Sequence, residues 1–192
     1  MNEIIRCGWC NSSKLYQDYH DNEWANPVYD DKILFEFLLL EGFQAGLSWI
    51  TILNKREGFR EAFDDFDYKK IATYDQKKLD QLMIDDRIVK NKLKIKASVT
   101  NALAFIKIQK EFGSFSEYFW RFTDRNIIDN KPENLKDIPA KTDLSDKISI
   151  DLKKKGFKFV GSTIVYAYMQ AVGMVNDHVI NCSFRNKLNN II

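Results

Sequence analysis

Histidine and cysteine are scarce in this chain, with two of one and three of the other among 192 residues. An odd, small cysteine count excludes a disulfide framework as the organising device. Proline occurs three times, at 27, 132 and 139, always in polar stretches, so no helix breaker interrupts the long apolar segments. No run of about 18 apolar residues exists to form a membrane span. No charged-then-apolar leader opens the chain either, and a cytoplasmic protein without a membrane partner is expected. An excess of one charge sign is also missing: 29 Lys and Arg against 27 Asp and Glu leave +2. Bulk charge therefore makes no case for nucleic acid, and only local clusters could. What is present is 45% hydrophobic residues. That is enough to bury a real core, as one domain over 1–192 or as two helical lobes sharing a cleft, and a monomer is expected.

The scarce residues are concentrated. Arg6-Cys7-Gly8-Trp9 leading to Tyr19-His20-Asp21-Asn22-Glu23-Trp24, together with Asn176-Asp177-His178-Val179-Ile180-Asn181-Cys182, hold every histidine and every cysteine. His178 and Cys182 are four apart, so on a helix both reach one ion. Cys7 and His20 could complete a closed Cys2His2 zinc tetrahedron that staples the two ends. The rival pair is Cys7-x-x-Cys10, which leaves His20 for catalysis or packing. Cys10, followed by polar Asn11-Ser12-Ser13, reads as exposed. The plain alternative is that these residues are incidental, since free cysteine behaves as a small buried hydrophobe.

Apolar residues recur at three- and four-residue spacing, and the fold class is all-α. Asp30 or Asp31 can cap a buried helix pair over 33–53 that breaks near Gly42 or Gly46. Shorter helices are predicted over 57–63 and 76–83, a long one over 88–112 stopped by Gly113, and an aromatic core block over 115–122. The polar stretch 123–142 reads as a linker or loop. In the C-terminal third, an amphipathic helix opened by Asp143 or Ser145 runs into Lys153-Lys154-Lys155-Gly156. Phe157-Lys158-Phe159-Val160-Gly161-Ser162-Thr163 follows, and then a helix over 164–172. This is the pattern of a helix-hairpin-helix. Its glycine allows close approach of a phosphate to unpaired N–H groups at a helix start, and lysines 153, 154, 155 and 158 add positive charge. An ordinary helical turn with lysines at a helix C-terminus reads the same way.

One carboxylate stands inside an apolar run: Leu38-Leu39-Leu40-Glu41-Gly42-Phe43-Gln44-Ala45-Gly46-Leu47-Ser48-Trp49. Periodicity alone makes Glu41 the wet edge of a core helix. Trp9, Tyr19, Trp24 and Trp49, all near glycines or charges, point instead to a pocket for a flat, cationic, amine-bearing base. Rings stack on such a base, and a carboxylate accepts from its N–H groups.

These strings, with Gln44-Ala45-Gly46-Leu47-Ser48-Trp49-Ile50-Thr51, Lys55-Arg56-Glu57, Lys155-Gly156-Phe157-Lys158-Phe159-Val160-Gly161 and Val175-Asn176-Asp177-His178-Val179, resemble the bacterial 3-methyladenine DNA glycosylase I (Tag) family. The likeness runs in unbroken order from about residue 6 to 185. It implies an all-helical relative of the helix-hairpin-helix glycosylases, with a structural Zn2+ on Cys7, His20, His178 and Cys182 rather than on Cys10. It further implies a base pocket of Trp9, Tyr19 and Trp49, with Glu41 recognising a flipped base and with Trp24 lining or backing the pocket; Glu41 is also the candidate catalytic residue, by electrostatic help or by orienting water. Leu47 matches the segment that approaches the gap left by the extruded nucleotide, although core packing explains a leucine equally well. Lys158, Gly161, Ser162 and Thr163 are the candidate DNA contacts.

The implied activity is hydrolysis of the N-glycosidic bond of 3-methyladenine in alkylated double-stranded DNA, the first step of base excision repair. The wider superfamily places a catalytic aspartate where this chain has Asn176, and an amide cannot act as a general base. Two other readings compete: a glycosylase for another alkylated purine, and a non-enzymatic zinc-stapled DNA-binding module.

Overall fold

The computed structural model describes residues 3–185. Among them the helices are α1 (Lys14–Asn22), α2 (Asp31–Gln44), α3 (Trp49–Leu53), α4 (Arg56–Ala62), α5 (Tyr68–Ile71), α6 (Gln76–Ile84), α7 (Lys92–Phe112), α8 (Phe115–Trp120), α9 (Asp143–Lys154) and α10 (Ser162–Ala171). Two short strands, β1 (Ile128–Asp129) and β2 (Val175–Asn176), pair in parallel, with Ile128 opposite Val175 and Asp129 opposite Asn176. The expected helical class therefore holds in its coarse form.

Helix starts follow side-chain chemistry. Asp30 accepts from the Ile33 N–H at 3.0 Å to open α2, and Asn91 accepts from the N–H groups of Leu93 and Lys94 to open α7. The long helix accordingly begins four residues later than its apolar pattern predicts. Gly113, at φ +89°, ends it. Thr142, one residue before the expected start, opens α9 in a reciprocal pair with Ser145.

Helix α2 is the axis of the molecule. Every residue from Leu34 to Phe43 is buried, and its faces meet α3, α7, α8 and α10. A helix hidden on all sides needs no polar stripe. Its two internal acids differ in their company. Glu36 takes Arg56 at 2.6 Å and Arg60 at 2.8 Å, whereas no donor among the described residues bonds the Glu41 carboxylate.

The expected break in this helix pair falls at residues 45–48, where Gly46 has φ +83°. The stretch 123–142 is not a loose linker. It carries β1, and its backbone is tied to the C-terminal segment through Ile128 N–H to Met174 O (2.9 Å) and Ile180 N–H to Pro132 O (2.9 Å). A two-residue pairing between segments far apart in the chain leaves no periodicity to read.

Candidate active site

The C-terminal half of α2, the start of α3, α1 and α10 surround a cavity of about 320 Å3, at the lower end of the roughly 300–1,000 Å3 common for small-molecule sites. Trp9, Tyr19, Trp24, Glu41 and Trp49, all anticipated, line it. Trp9 lies 4.9 Å from Trp24 and 6.4 Å from Tyr19 between ring centroids, and Tyr19 lies 5.4 Å from Trp49. Trp24 both lines the cavity and backs it, its ring standing edge-on 4.7 Å from His178.

Two polar groups in this wall lack partners among the described residues. Glu41 is 3% exposed, and burial alone pushes its carboxyl up to about 8 from an ordinary value of 4.5. The buried Trp49 Nε1–H has no acceptor. Buried polar groups are normally satisfied, so an unpartnered acid and an unpartnered donor on one cavity mark a place for a polar, flat ligand. Burial also pushes the Tyr19 phenol well up, which keeps it a neutral O–H.

Sequence reasoning missed Tyr16, Gln44, Leu135, Ile138, Ala167 and Gln170, which also line the cavity. Tyr16 sits three residues before Tyr19 on α1, so helical spacing held the signal for it. Leu135 and Ile138 belong to the stretch read as a linker, and nothing local marks them.

Next to the cavity, Cys7, His20, His178 and Cys182 are all buried, and their ligand atoms lie within 4.8 Å of one another. Cys7 Sγ to His178 Nδ1 is 3.5 Å, Cys182 Sγ to His178 Nδ1 is 3.4 Å, and Cys182 Sγ to His20 Nε2 is 3.5 Å. A tetrahedral ion with metal–sulfur bonds near 2.3 Å and metal–nitrogen bonds near 2.0–2.1 Å has sulfur–nitrogen edges of about 3.5 Å. The donors thus stand at the edge lengths that a bound ion requires. His20 Nδ1 pairs with Asp21 at 2.8 Å, and Arg6 bonds the same carboxylate. This leaves the His20 Nε2 lone pair aimed at the cluster.

Two expectations are corrected here. His178 and Cys182 are not on a helix; the chain after β2 folds into turns, with Cys182 N–H on Val179 O at 2.9 Å. Ser183 then pairs with Ile5, which closes the ends on each other. Cys10 is buried instead of exposed, its thiol donating to Cys7 O at 3.1 Å. A 3-10 turn over Gly8–Cys10 points it inward, a direction that the polar residues after it do not reveal.

The hairpin between α9 and α10 is present. Gly156 at φ +99° ends α9, with its N–H on Lys153 O and the Phe157 N–H on Leu152 O. Gly161 precedes α10 with no side-chain cap, and a Cβ placed there would meet nothing within 4 Å. The first N–H groups of α10 have no acceptor among the described residues, and Thr163 and Lys158 are exposed nearby. Ser162 is less free: its hydroxyl lies 3.0 Å from that of Ser145 and bonds the Asp146 carboxylate, which puts one acid beside the start of α10. Lys155 does not add to this charge, because it is bonded to Glu111 at 2.6 Å. Leu47 stands 39% exposed on the 45–48 loop beside Gln44 of the cavity wall. Asn176 is buried and bonded at both ends of its amide, donating to Arg185 O and accepting from the His178 N–H.

Known proteins are similar to this chain in sequence and in fold. The family model described as methyladenine glycosylase matches residues 9–186. DNA-3-methyladenine glycosylase 1 of Escherichia coli (strain K12) is 45% identical over 177 residues, covering 92% of this chain and 95% of that protein. The DNA-3-methyladenine glycosylase of Haemophilus influenzae is 44% identical over 177 residues, covering 92% and 96%. The 3-methyladenine DNA glycosylase I of Staphylococcus aureus, solved in a study of 3-methyladenine recognition, superposes with a TM-score of 0.91 at 36% identity, covering 96% of this chain and 98% of that one. With a family model spanning most of its length and relatives this similar across more than nine-tenths of it, the chain belongs to the methyladenine glycosylase family.

Proposed function

We infer that this chain is a DNA repair glycosylase that hydrolyses the N-glycosidic bond of 3-methyladenine in alkylated DNA, as its relatives' names state for them. The single observation that carries the reading to these residues is the unpaired Glu41 carboxyl, buried in a cavity walled by Trp9, Tyr19, Trp24 and Trp49.

Methylation at N3 places positive charge on adenine. In the empty cavity Glu41 holds its proton at neutral pH; a cationic base favours the carboxylate, and the rings favour the same cation. Unmodified adenine brings no charge and gains neither term. Catalysis then asks little of a general acid. The C1′–N9 bond breaks with its electron pair passing to N9, so the base leaves neutral, and water bonds to C1′ and gives its proton to solvent. Glu41, beside the developing sugar cation or its water, supplies electrostatic help that Asn176 cannot.

The rest of the site serves extrusion and shape. Leu47 enters the gap left by the flipped nucleotide. The unpaired N–H groups of Gly161, Ser162 and Thr163 at the start of α10, with Lys158, take a backbone phosphate of double-stranded DNA. Cys7, His20, His178 and Cys182 hold a structural Zn2+, which when bound supplies a closed cross-link between the chain ends and no open coordination position. One glycosylase domain does this work as a monomer in the cytoplasm.

Purified protein incubated with methylated duplex DNA should release 3-methyladenine, and Glu41→Gln should lower release at least about 100-fold, in line with loss of one electrostatic group, while duplex binding persists. Equal loss of both would make Glu41 a structural residue. Release of another alkylated purine instead would reassign the substrate, and salt-sensitive binding with no release would leave a DNA-binding module.

A further inference from the structure

Asp177 is wholly buried one residue before a cluster ligand, and neither the cavity rings nor the metal donors account for it. Its carboxylate collects three neutral donors. Oδ2 accepts from the Tyr166 hydroxyl at 2.7 Å and from Gln170 Nε2 at 2.7 Å, and Oδ1 accepts from Asn130 Nδ2 at 2.8 Å. Tyr166 and Gln170 stand four apart on α10 and so face it together. Asn130 follows β1, and its backbone bonds to Asn176 of β2. The carboxylate thus joins three separate elements at one point.

Gln170 is the member of this set that reaches the cavity. A side-chain amide has one donor end and one acceptor end, and a carboxylate can satisfy only the donor. Asp177 therefore fixes which way the amide lies: Nε2 inward, Oε1 outward. No donor among the described residues bonds that oxygen, and Gln170 is only half-buried. The cavity lining consequently offers Gln170 Oε1 as an acceptor in every protonation state, and Glu41 as a second acceptor through its carbonyl oxygen or, beside a cation, its carboxylate.

We propose that Gln170, locked as an acceptor by Asp177, selects the exocyclic amine of the base that the cavity takes, with Gln170 the specificity-determining residue and Asp177 its positioning residue. This rests on the glycosylase reading above and adds to it which edge of the base is read. One amine carries two N–H groups, enough for Glu41 and Gln170 at once. A purine with a carbonyl at that position sets a lone pair against Gln170 Oε1, which cannot donate in reply, and a purine with hydrogen there leaves both Gln170 and Glu41 unpaired.

The test uses two free bases as probes, 3-methyladenine and 3-methylpurine, which share ring and methyl group and differ by the amine. Each is titrated into the whole protein and followed by fluorescence of the cavity tryptophans. Wild-type protein should prefer 3-methyladenine by about 100-fold, two buried polar mismatches of roughly tenfold each. Gln170→Leu should shrink that preference about tenfold, chiefly by weakening 3-methyladenine, and leave the share that Glu41 supplies. Asp177→Asn should do likewise, because an asparagine can offer its own NH2 and let Gln170 turn over. If Asp177→Asn does not fold, judged by near-ultraviolet circular dichroism, Gln170→Leu decides alone. An unchanged preference in Gln170→Leu, or parallel weakening of both probes, overturns the proposal. Failure of the glycosylase reading looks different: the wild type keeps its preference for the amine yet liberates no base from methylated duplex DNA.

Discussion

Replacing Glu41 by glutamine should make the protein more stable, and by an amount that depends on pH. Glu41 carries its proton up to about pH 8 in the folded state, against an ordinary value of 4.5. Between those limits the folded chain binds one proton more than the unfolded chain, so stability falls as pH rises, by about 1.4 kcal/mol per pH unit. The accumulated penalty is about 3 kcal/mol at pH 7 and levels off above pH 8. Glutamine keeps the shape and retains a polar desolvation cost, but that cost is the same at every pH. Thermal unfolding of wild type and Glu41→Gln from pH 4 to 9 should therefore show curves that diverge between about pH 5 and 8. At pH 7 the variant should melt about 6–12 °C higher relative to the offset at pH 4, using about 2–4 °C per kcal/mol for a chain of this size. Effects of acid on the nearby cysteines and histidines are common to both proteins and cancel in the difference. A constant offset across the range would mean that Glu41 is paired or solvated, and the argument for a cation-selecting cavity would fall with it.

Three further outcomes follow from the same structure. Chelation, or Cys182→Ala, should remove a bound metal ion measured at one per chain by elemental analysis and lower stability by about 4 kcal/mol or more, as expected for a ligand bound far above its Kd; Cys10→Ala should leave the metal count unchanged. Lys158→Ala should weaken duplex binding at low salt and reduce the slope of log affinity against log salt by about one, with no change in preference among sequences; an unaltered slope would remove Lys158 from the interface. The buried Lys94 donates to Phe43 O at 2.8 Å and Ala45 O at 2.6 Å, holding the end of α2 where the Leu47 loop departs. Lys94→Met should cost about 1–3 kcal/mol in chemical denaturation and weaken binding to DNA with an abasic gap more than to intact duplex.

Much of the chemistry was legible along the chain. Concentrating every histidine and cysteine in two end segments pointed to the four-donor cluster. A lone acid in an apolar run marked Glu41, and helix, glycine and second helix marked the hairpin. The resemblance separated Cys7 and His20 from Cys10, which spacing had left open. Other features were hidden because their signals are not local. The turns that carry His178 and Cys182 imitate helical spacing without being a helix. Leu135, Ile138 and Asn130 sit in a stretch whose composition reads as a linker, and their roles depend on β1 meeting β2.

The sequence by itself determined which residue types were available for which chemistry, because helix periodicity, capping and donor identity are written in neighbouring residues. Only the tertiary structure decided which groups are left without partners. Glu36 and Glu41 are both acids on the same buried helix, yet two arginines from α4 answer one and no donor among the described residues answers the other. Desolvation depends on everything packed around a group, and the elements that bury Glu41 come from both ends of the chain.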